Sequence, residues 1–238
     1  LDASIKLARH VRYASLGTFE FLATGDDFWF MEANPRLQVE HTITEEATGV
    51  DLVQIQIRIA LGASLAELDL SSPPAVRGFA IQARVNLETL LADGSPGPCA
   101  GRLTAYAQPS GPHVRVDGYG YAGYATSLRY DSLLAKVIAR GRNFDAALAN
   151  VANALREFHI VGATTNIPIL LSILDLPAVK AARFDTSLVE TNIAALLAAA
   201  ANQTTIAPPA STLDAQQGVA RQNIDLGEDE EGVAVVTA

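Results

Sequence analysis

Cysteine occurs once, at Cys99, so the chain can build neither an intrachain disulfide nor a cysteine-based zinc cluster. Such sparing use suits a reducing compartment, and a cytoplasmic protein is expected. Lysine is nearly as scarce, present only as Lys6, Lys136 and Lys180. The 17 basic residues are outnumbered by 26 acidic ones, for a net charge of −9. No basic stripe is available to hold nucleic acid or an anionic membrane. Apolar runs stop well short of the ~18 residues a membrane span requires, the Ala-rich Ile193–Ala201 included. The N-terminus does not read as a signal peptide. His10, His41, His113 and His159 are scattered without metal-ligand spacing.

What is present describes a globular protein. Of 238 residues, 49% are hydrophobic and 18% charged, enough for a real core in one large or two small domains. The chain opens at Leu1 and ends abruptly, and is expected to be a piece of something longer. Residues 1–15, with Ile5, Leu7, Ala8 and Val11, read as a short amphipathic helix of moderate periodicity. Gly17–Leu22 and Phe28–Glu32 are aromatic-rich strands flanking the turn Thr24-Gly25-Asp26-Asp27, which predicts a β-hairpin. Val50–Leu61 has helical spacing, and Ser71-Ser72-Pro73-Pro74 marks a domain boundary. Strands are expected at 78–87, 103–107, 113–116 and 133–139, with a loop at 92–101 and a Gly/Tyr-rich segment at 118–124. Phe144–Phe158 is the clearest amphipathic helix, N-capped by Asn143. Helical segments follow at 167–174 and 188–201. The Ala/Pro stretch after them reads as a linker, so the expected division is 1–72, 76–198, a linker over 199–231, and a further unit starting at 232–238.

Polar chemistry crowds into Glu20, Glu32, Asn34, Arg36, Gln38 and Glu40. A turn centred on Asp26 pairs Glu20 with Glu32 on one face, their Cβ atoms about 5 Å apart. Two carboxylates that close repel unless a cation lies between them, and hard oxygen ligands suit Mg²⁺ or Mn²⁺ completed by phosphate. Asn34 shares their parity. Geometry alone leaves this open against a solvated hairpin face, since a one-residue shift in the turn would separate the two acids. Arg36, Gln38 and Glu40 alternate and would line one side of an extended segment. An arginine fork can hold a carboxylate or bicarbonate, and a nearby carboxylate can serve as base. The same residues could equally form a surface ion pair beside a capping box, Thr42-x-x-Glu45.

The string Glu32-Ala-Asn-Pro-Arg-Leu-Gln-Val-Glu-His41 resembles the biotin carboxylase family of the ATP-grasp superfamily. The similarity continues through Thr48–Asp51, Gly78–Arg84, Tyr121–Tyr124, Tyr130–Lys136 and Thr165–Pro168, over roughly residues 1–195. The resemblance implies an α+β fold: the end of an ATP-grasp domain, then a biotin carboxylase C-terminal domain with an antiparallel sheet and flanking helices. It also implies roles. Glu20 and Glu32 face ATP and hold Mg²⁺ with Asn34. Arg36, Gln38 and the backbone of Val39 cradle bicarbonate, Glu40 is the base, and Arg84 holds the ureido oxygen of biotin, otherwise a plain strand-edge arginine. Implied partners are ATP, bicarbonate, a biotinyl carrier domain, a carboxyltransferase domain and a second copy of the chain.

The family's glycine-rich phosphate loop and its ATP- and bicarbonate-binding lysines are missing, so the chain alone is expected to be an inactive half of an ATP-dependent ligase. Residues 82–89 and 109–112 lean toward single-chain acyl-CoA carboxylases, and so toward fatty acid biosynthesis. Two other possibilities are a different ATP-grasp ligase of carbamoyl phosphate synthase type and a non-catalytic oligomerisation module. Tyr119, Tyr121, Tyr124 and Tyr130 are expected in core or interface.

Overall fold

The computed structural model describes residues 2–203. The expected linker beyond residue 203 and the unit at 232–238 lie outside them. Helix α1 (Asp2–His10) leads into the antiparallel hairpin of β1 (Thr18–Thr24) and β2 (Asp27–Asn34). Helices α2 (His41–Thr48) and α3 (Leu52–Ala60) follow. Between Ala60 and Phe79 the chain has neither helix nor strand. Next come β3 (Phe79–Asn86), the short hairpin β4 (Glu88–Leu90) and β5 (Pro96–Pro98), then β6 (Ala105–Ala107), β7 (Val114–Gly118) and β8 (Leu133–Gly141). The described chain ends with α4 (Phe144–Glu157), β9 (His159–Val161), α5 (Ile167–Asp175), α6 (Pro177–Lys180) and α7 (Leu188–Ala200).

Local chemistry explains most of these boundaries. Asn143 accepts a hydrogen bond from the Ala146 N–H and starts α4, while Asp51 does the same for α3 through Gln54. Gly49, at φ +77°, ends α2 in the left-handed region. The proposed capping box is not formed. Glu40 occupies the N-cap of α2 without a side-chain cap bond, and Glu45 reaches forward to accept from the Leu52 N–H at 2.8 Å. The stretch 92–101, expected as loop, folds back as β5 on β4.

The core lies under an antiparallel sheet of order β3-β8-β7. Leu148, Val151, Ala154 and Leu155 of α4 pack their buried stripe against it, joined by Phe158, Leu171, Val137 and Val85. Gly141 lets α4 cross the end of β8, since a Cβ there would come within 2.3 Å of the Ala147 nitrogen. The register sets Arg84, Lys136 and Asp117 side by side across the three strands.

The hairpin differs from this layered region. Phe28, Trp29, Phe30 and Met31 are all exposed, although Phe21 stacks edge-on with Phe28 and Phe30. Its turn is centred half a residue earlier than the sequence suggests: Thr24 pairs with Asp27, so Gly25 and Asp26 form a two-residue loop with φ +58° at Gly25. A regular ladder from that turn would set Glu20 opposite Met31. A β-bulge between Phe30 and Glu32 absorbs the extra residue, and Glu20 pairs with Glu32 after all.

Candidate active site

Glu20 and Glu32 point to one face of the hairpin, and Asn34 bridges them. Its Nδ2 donates to Oε1 of Glu20 at 3.0 Å and to Oε1 of Glu32 at 2.7 Å. Gln38 joins through Nε2, 3.2 Å from the same Glu20 oxygen, while its own buried Oε1 has no hydrogen-bond partner. The amide nitrogen of Asn34 thus lies between the two carboxylates, where a cation would relieve their repulsion. Among the described residues no three His, Cys, Asp or Glu side chains gather into a metal cage. Two carboxylates, with the Asn34 carboxamide turned so that its oxygen faces inward in place of Nδ2, match the donor set of Mg²⁺, which usually takes its remaining ligands from water and substrate phosphate. Glu20, Glu32 and Asn34 therefore fit such an ion.

The segment between β2 and α2 is not the extended ribbon expected from the alternation of Arg36, Gln38 and Glu40. Pro35 turns the chain, with the Arg36 N–H bonded to the Asn34 carbonyl, and residues 39–40 form a turn. Arg36 is exposed, and its guanidinium donates to the Leu37 carbonyl at 3.2 Å rather than to Glu40. Glu40 instead meets Arg84 from the sheet, Nη2 to Oε2, at 2.9 Å. Both are half exposed, so this pair is worth no more than about 1 kcal/mol and opens readily to ligands.

Arg84 also faces a cleft of about 640 Å³ lined by Val39, Asn86, Tyr119, Tyr124, Tyr130 and Asp131. Of the four tyrosines expected in core or interface, Tyr124 packs against the core, whereas Tyr130 is 82% exposed and Tyr119 and Tyr121 are exposed as well. Gly118 and Gly120 bring this segment against Tyr106, where a Cβ at either position would clash.

Sequence reasoning missed several supporting residues. Lys136 donates to the Val39 carbonyl at 3.1 Å and pairs with Asp117 at 3.3 Å. Asn166 clasps the free edge of β3 with three bonds: Nδ2 to the Arg84 carbonyl, Oδ1 from the Asn86 N–H, and its own N–H to the Asn86 carbonyl. Arg115 holds Glu45 at 2.7 Å and Asp117 bidentately at 2.8 and 3.0 Å. The Asp117 hydrogen bond, more than that of Glu45, raises the Arg115 pKa above its ordinary value despite some burial. Burial alone would raise the Asp117 pKa, but Arg115 and Lys136 together draw it below the usual carboxylate value. Nothing in periodicity marks these contacts. The only signal was the Tyr130–Lys136 and Thr165–Pro168 strings, read as resemblance and given no chemistry.

Two family models match separate parts of the chain. Residues 1–68 match the carbamoyl-phosphate synthase L chain ATP-binding domain. Residues 82–191 match the biotin carboxylase C-terminal domain. Pyruvate carboxylase 1 of Caenorhabditis elegans is 46% identical over 195 residues, covering 80% of this chain and 16% of that protein. A single-chain, multi-domain long-chain acyl-CoA carboxylase superposes with a TM-score of 0.77 at 43% identity, covering 87% of this chain and 23% of the other. The biotin carboxylase domain of Hydrogenobacter thermophilus 2-oxoglutarate carboxylase, a dimer in complex with MgADP and bicarbonate, gives 0.75 at 34%, covering 82% and 42%. The chain belongs to the biotin carboxylase family. It spans about a sixth of the length of the curated relative and less than half of that domain.

Proposed function

We propose that this chain supplies the metal, bicarbonate and biotin half of a biotin carboxylase site, whose nucleotide clamp comes from sequence outside it. The observation that carries this is the bulged hairpin register, which puts Glu20 and Glu32 on one face beside Asn34 and Gln38. A Mg²⁺ ion bound there would neutralise phosphate charge on ATP. Arg36 and Gln38 hold bicarbonate, and the orphan acceptor of Gln38 supports a polar ligand at this point. Glu40 takes the bicarbonate proton, so that its oxygen attacks the γ-phosphorus of ATP and ADP leaves. The carboxyphosphate formed gives CO₂ and phosphate. Phosphate then takes the N1′ proton of biotin, Arg84 stabilises the charge that develops on the ureido oxygen, and the resulting enolate attacks CO₂ through N1′. The Glu40–Arg84 contact at 2.9 Å keeps the proposed base and the ureido-binding arginine side by side.

The MgADP and bicarbonate in the Hydrogenobacter relative favour this ligand set. With it go a domain division near residues 72–76, a biotinyl carrier and a carboxyltransferase as partners, pairing with a second copy, and a cytoplasmic setting. Among the described residues no helix is long and apolar enough to cross a membrane. With three lysines and no glycine-rich phosphate loop, the chain by itself does not turn over. An acyl-CoA acceptor fits residues 82–89, but relatives of similar identity include a pyruvate carboxylase and an acyl-CoA carboxylase, so those residues do not decide it.

The test is bicarbonate-dependent, biotin-stimulated ATP cleavage by the complete carboxylase, or by this chain assembled with an ATP-binding half. Arg36→Ala and Glu40→Ala should each lower it by about 100-fold or more with folding intact. Normal turnover in either variant refutes its role.

A further inference from the structure

We infer that Lys136 is a positioning residue that pins the bicarbonate-activating turn to the sheet; this rests on the function proposed above. Lys136 lies in the middle of β8 among buried apolar neighbours, and only 8% of it is exposed. A buried ammonium is costly unless its hydrogens are taken up. Asp117, its register partner on β7, supplies the counter-charge at 3.3 Å. The remaining contact is unusual for a structural lysine. Nζ crosses 97 residues of sequence to donate to the Val39 carbonyl at 3.1 Å.

That carbonyl belongs to the Val39–Glu40 peptide, in the middle of the segment proposed to hold bicarbonate. The segment has no helix or strand to stiffen it. Its internal bonds run from His41 to the Gln38 carbonyl and from the Ile43 N–H to the Glu40 carbonyl. Among the described residues, Lys136 is the side chain of the sheet that bonds its backbone. Fixing the oxygen of this peptide fixes the plane from which the Glu40 side chain departs. A small planar anion and its base must be aligned closely to react, so an error of an ångström is expensive.

The charge order accounts for a lysine here. Lys136 sits directly opposite Arg84 on β3, an unfavourable pairing of like charges in isolation. Glu40 beyond Arg84 and Asp117 beyond Lys136 flank the two cations, and Arg115 with Glu45 continues the alternation. The row thereby places two positive charges under the anion-holding turn without leaving either unpaired.

The test compares Lys136→Met, Lys136→Arg and the double variant Lys136→Met/Asp117→Asn in the complete carboxylase. Loss of a charge-assisted positioning bond should raise the KM for bicarbonate or lower kcat by about tenfold or more, leaving the KM for ATP unchanged. Lys136→Arg should recover part of the loss. The double variant should remain impaired, because the neutral amide at position 117 needs no counter-charge while Val39 is still unpinned. Full recovery in the double variant, or an unchanged bicarbonate response in a folded Lys136→Met, overturns the inference. If the unmutated enzyme shows no bicarbonate-dependent ATP cleavage, the proposed function fails instead. Amide exchange in the chain itself then decides the pin: Lys136→Met should speed exchange at residues 39–41 about tenfold while β3 and β8 stay protected, and no change refutes it.

Discussion

Replacing Arg115 with methionine tests the electrostatic joint between the site and the sheet. Its guanidinium is one-third exposed, but the Glu45 carboxylate it holds at 2.7 Å is only 8% exposed. Removing one member of a buried pair typically costs about 3–5 kcal/mol, because the other charge stays behind uncompensated. Water reaches the arginine side, which favours the lower end of that range. The bidentate contact with half-buried Asp117 adds no more than about 1 kcal/mol. A total near 3–4 kcal/mol should lower the urea midpoint, followed by far-UV circular dichroism at pH 7, by roughly 1–2 M. Adding Glu45→Gln should restore at least half of the loss. The glutamine oxygen can still accept from the Leu52 N–H, and no buried charge remains. A midpoint shift below about 0.3 M for Arg115→Met, or strictly additive effects in the double variant, would refute the reasoning.

Two further outcomes concern acid and metal. Asp117 has a folded-state pKa below its ordinary value, so its contribution to stability is full above the unfolded value near 4 and is lost as pH falls through the folded one. Unfolding midpoints of the wild-type chain and Asp117→Asn should therefore differ by a constant amount from pH 7 to about 5 and converge below about 4; a gap that widens in acid contradicts the sign. In the assembled enzyme, Glu20→Gln or Glu32→Gln should raise the Mg²⁺ needed for half-maximal ATP cleavage by at least about tenfold, and an unaltered Mg²⁺ titration removes these residues from the metal site.

Much of the architecture was legible because it depends on local chemistry. The stripe of Leu148, Val151 and Leu155, with Asn143 ahead of it, defines α4 without reference to any other element. The apolar runs of β3 and β8 and the Gly-Asp turn are of the same kind. The bulge was hidden. Nothing in Phe28-Trp29-Phe30-Met31 says which residue will be squeezed out of the ladder, and the right pairing of Glu20 with Glu32 came from a turn placed half a residue off. The non-local partners were equally out of reach. Lys136 reads as one polar interruption in Leu-Leu-Ala-Lys-Val-Ile-Ala, and its meaning lies 97 residues away. Arg36 and Glu40 alternate in sequence, yet Pro35 and the turn at residues 39–40 send them to different partners.

The clasp of Asn166 has a consequence beyond its support of Arg84. β3 lies at the border of its sheet, where bare amides and carbonyls ordinarily invite a foreign strand to add itself. One asparagine, using backbone and carboxamide together, occupies that border from residue 84 to residue 86 as a counterfeit strand one residue wide. An extended peptide therefore cannot add itself as a strand along this stretch, while the half-exposed Arg84 side chain keeps its place at the tyrosine-lined cleft.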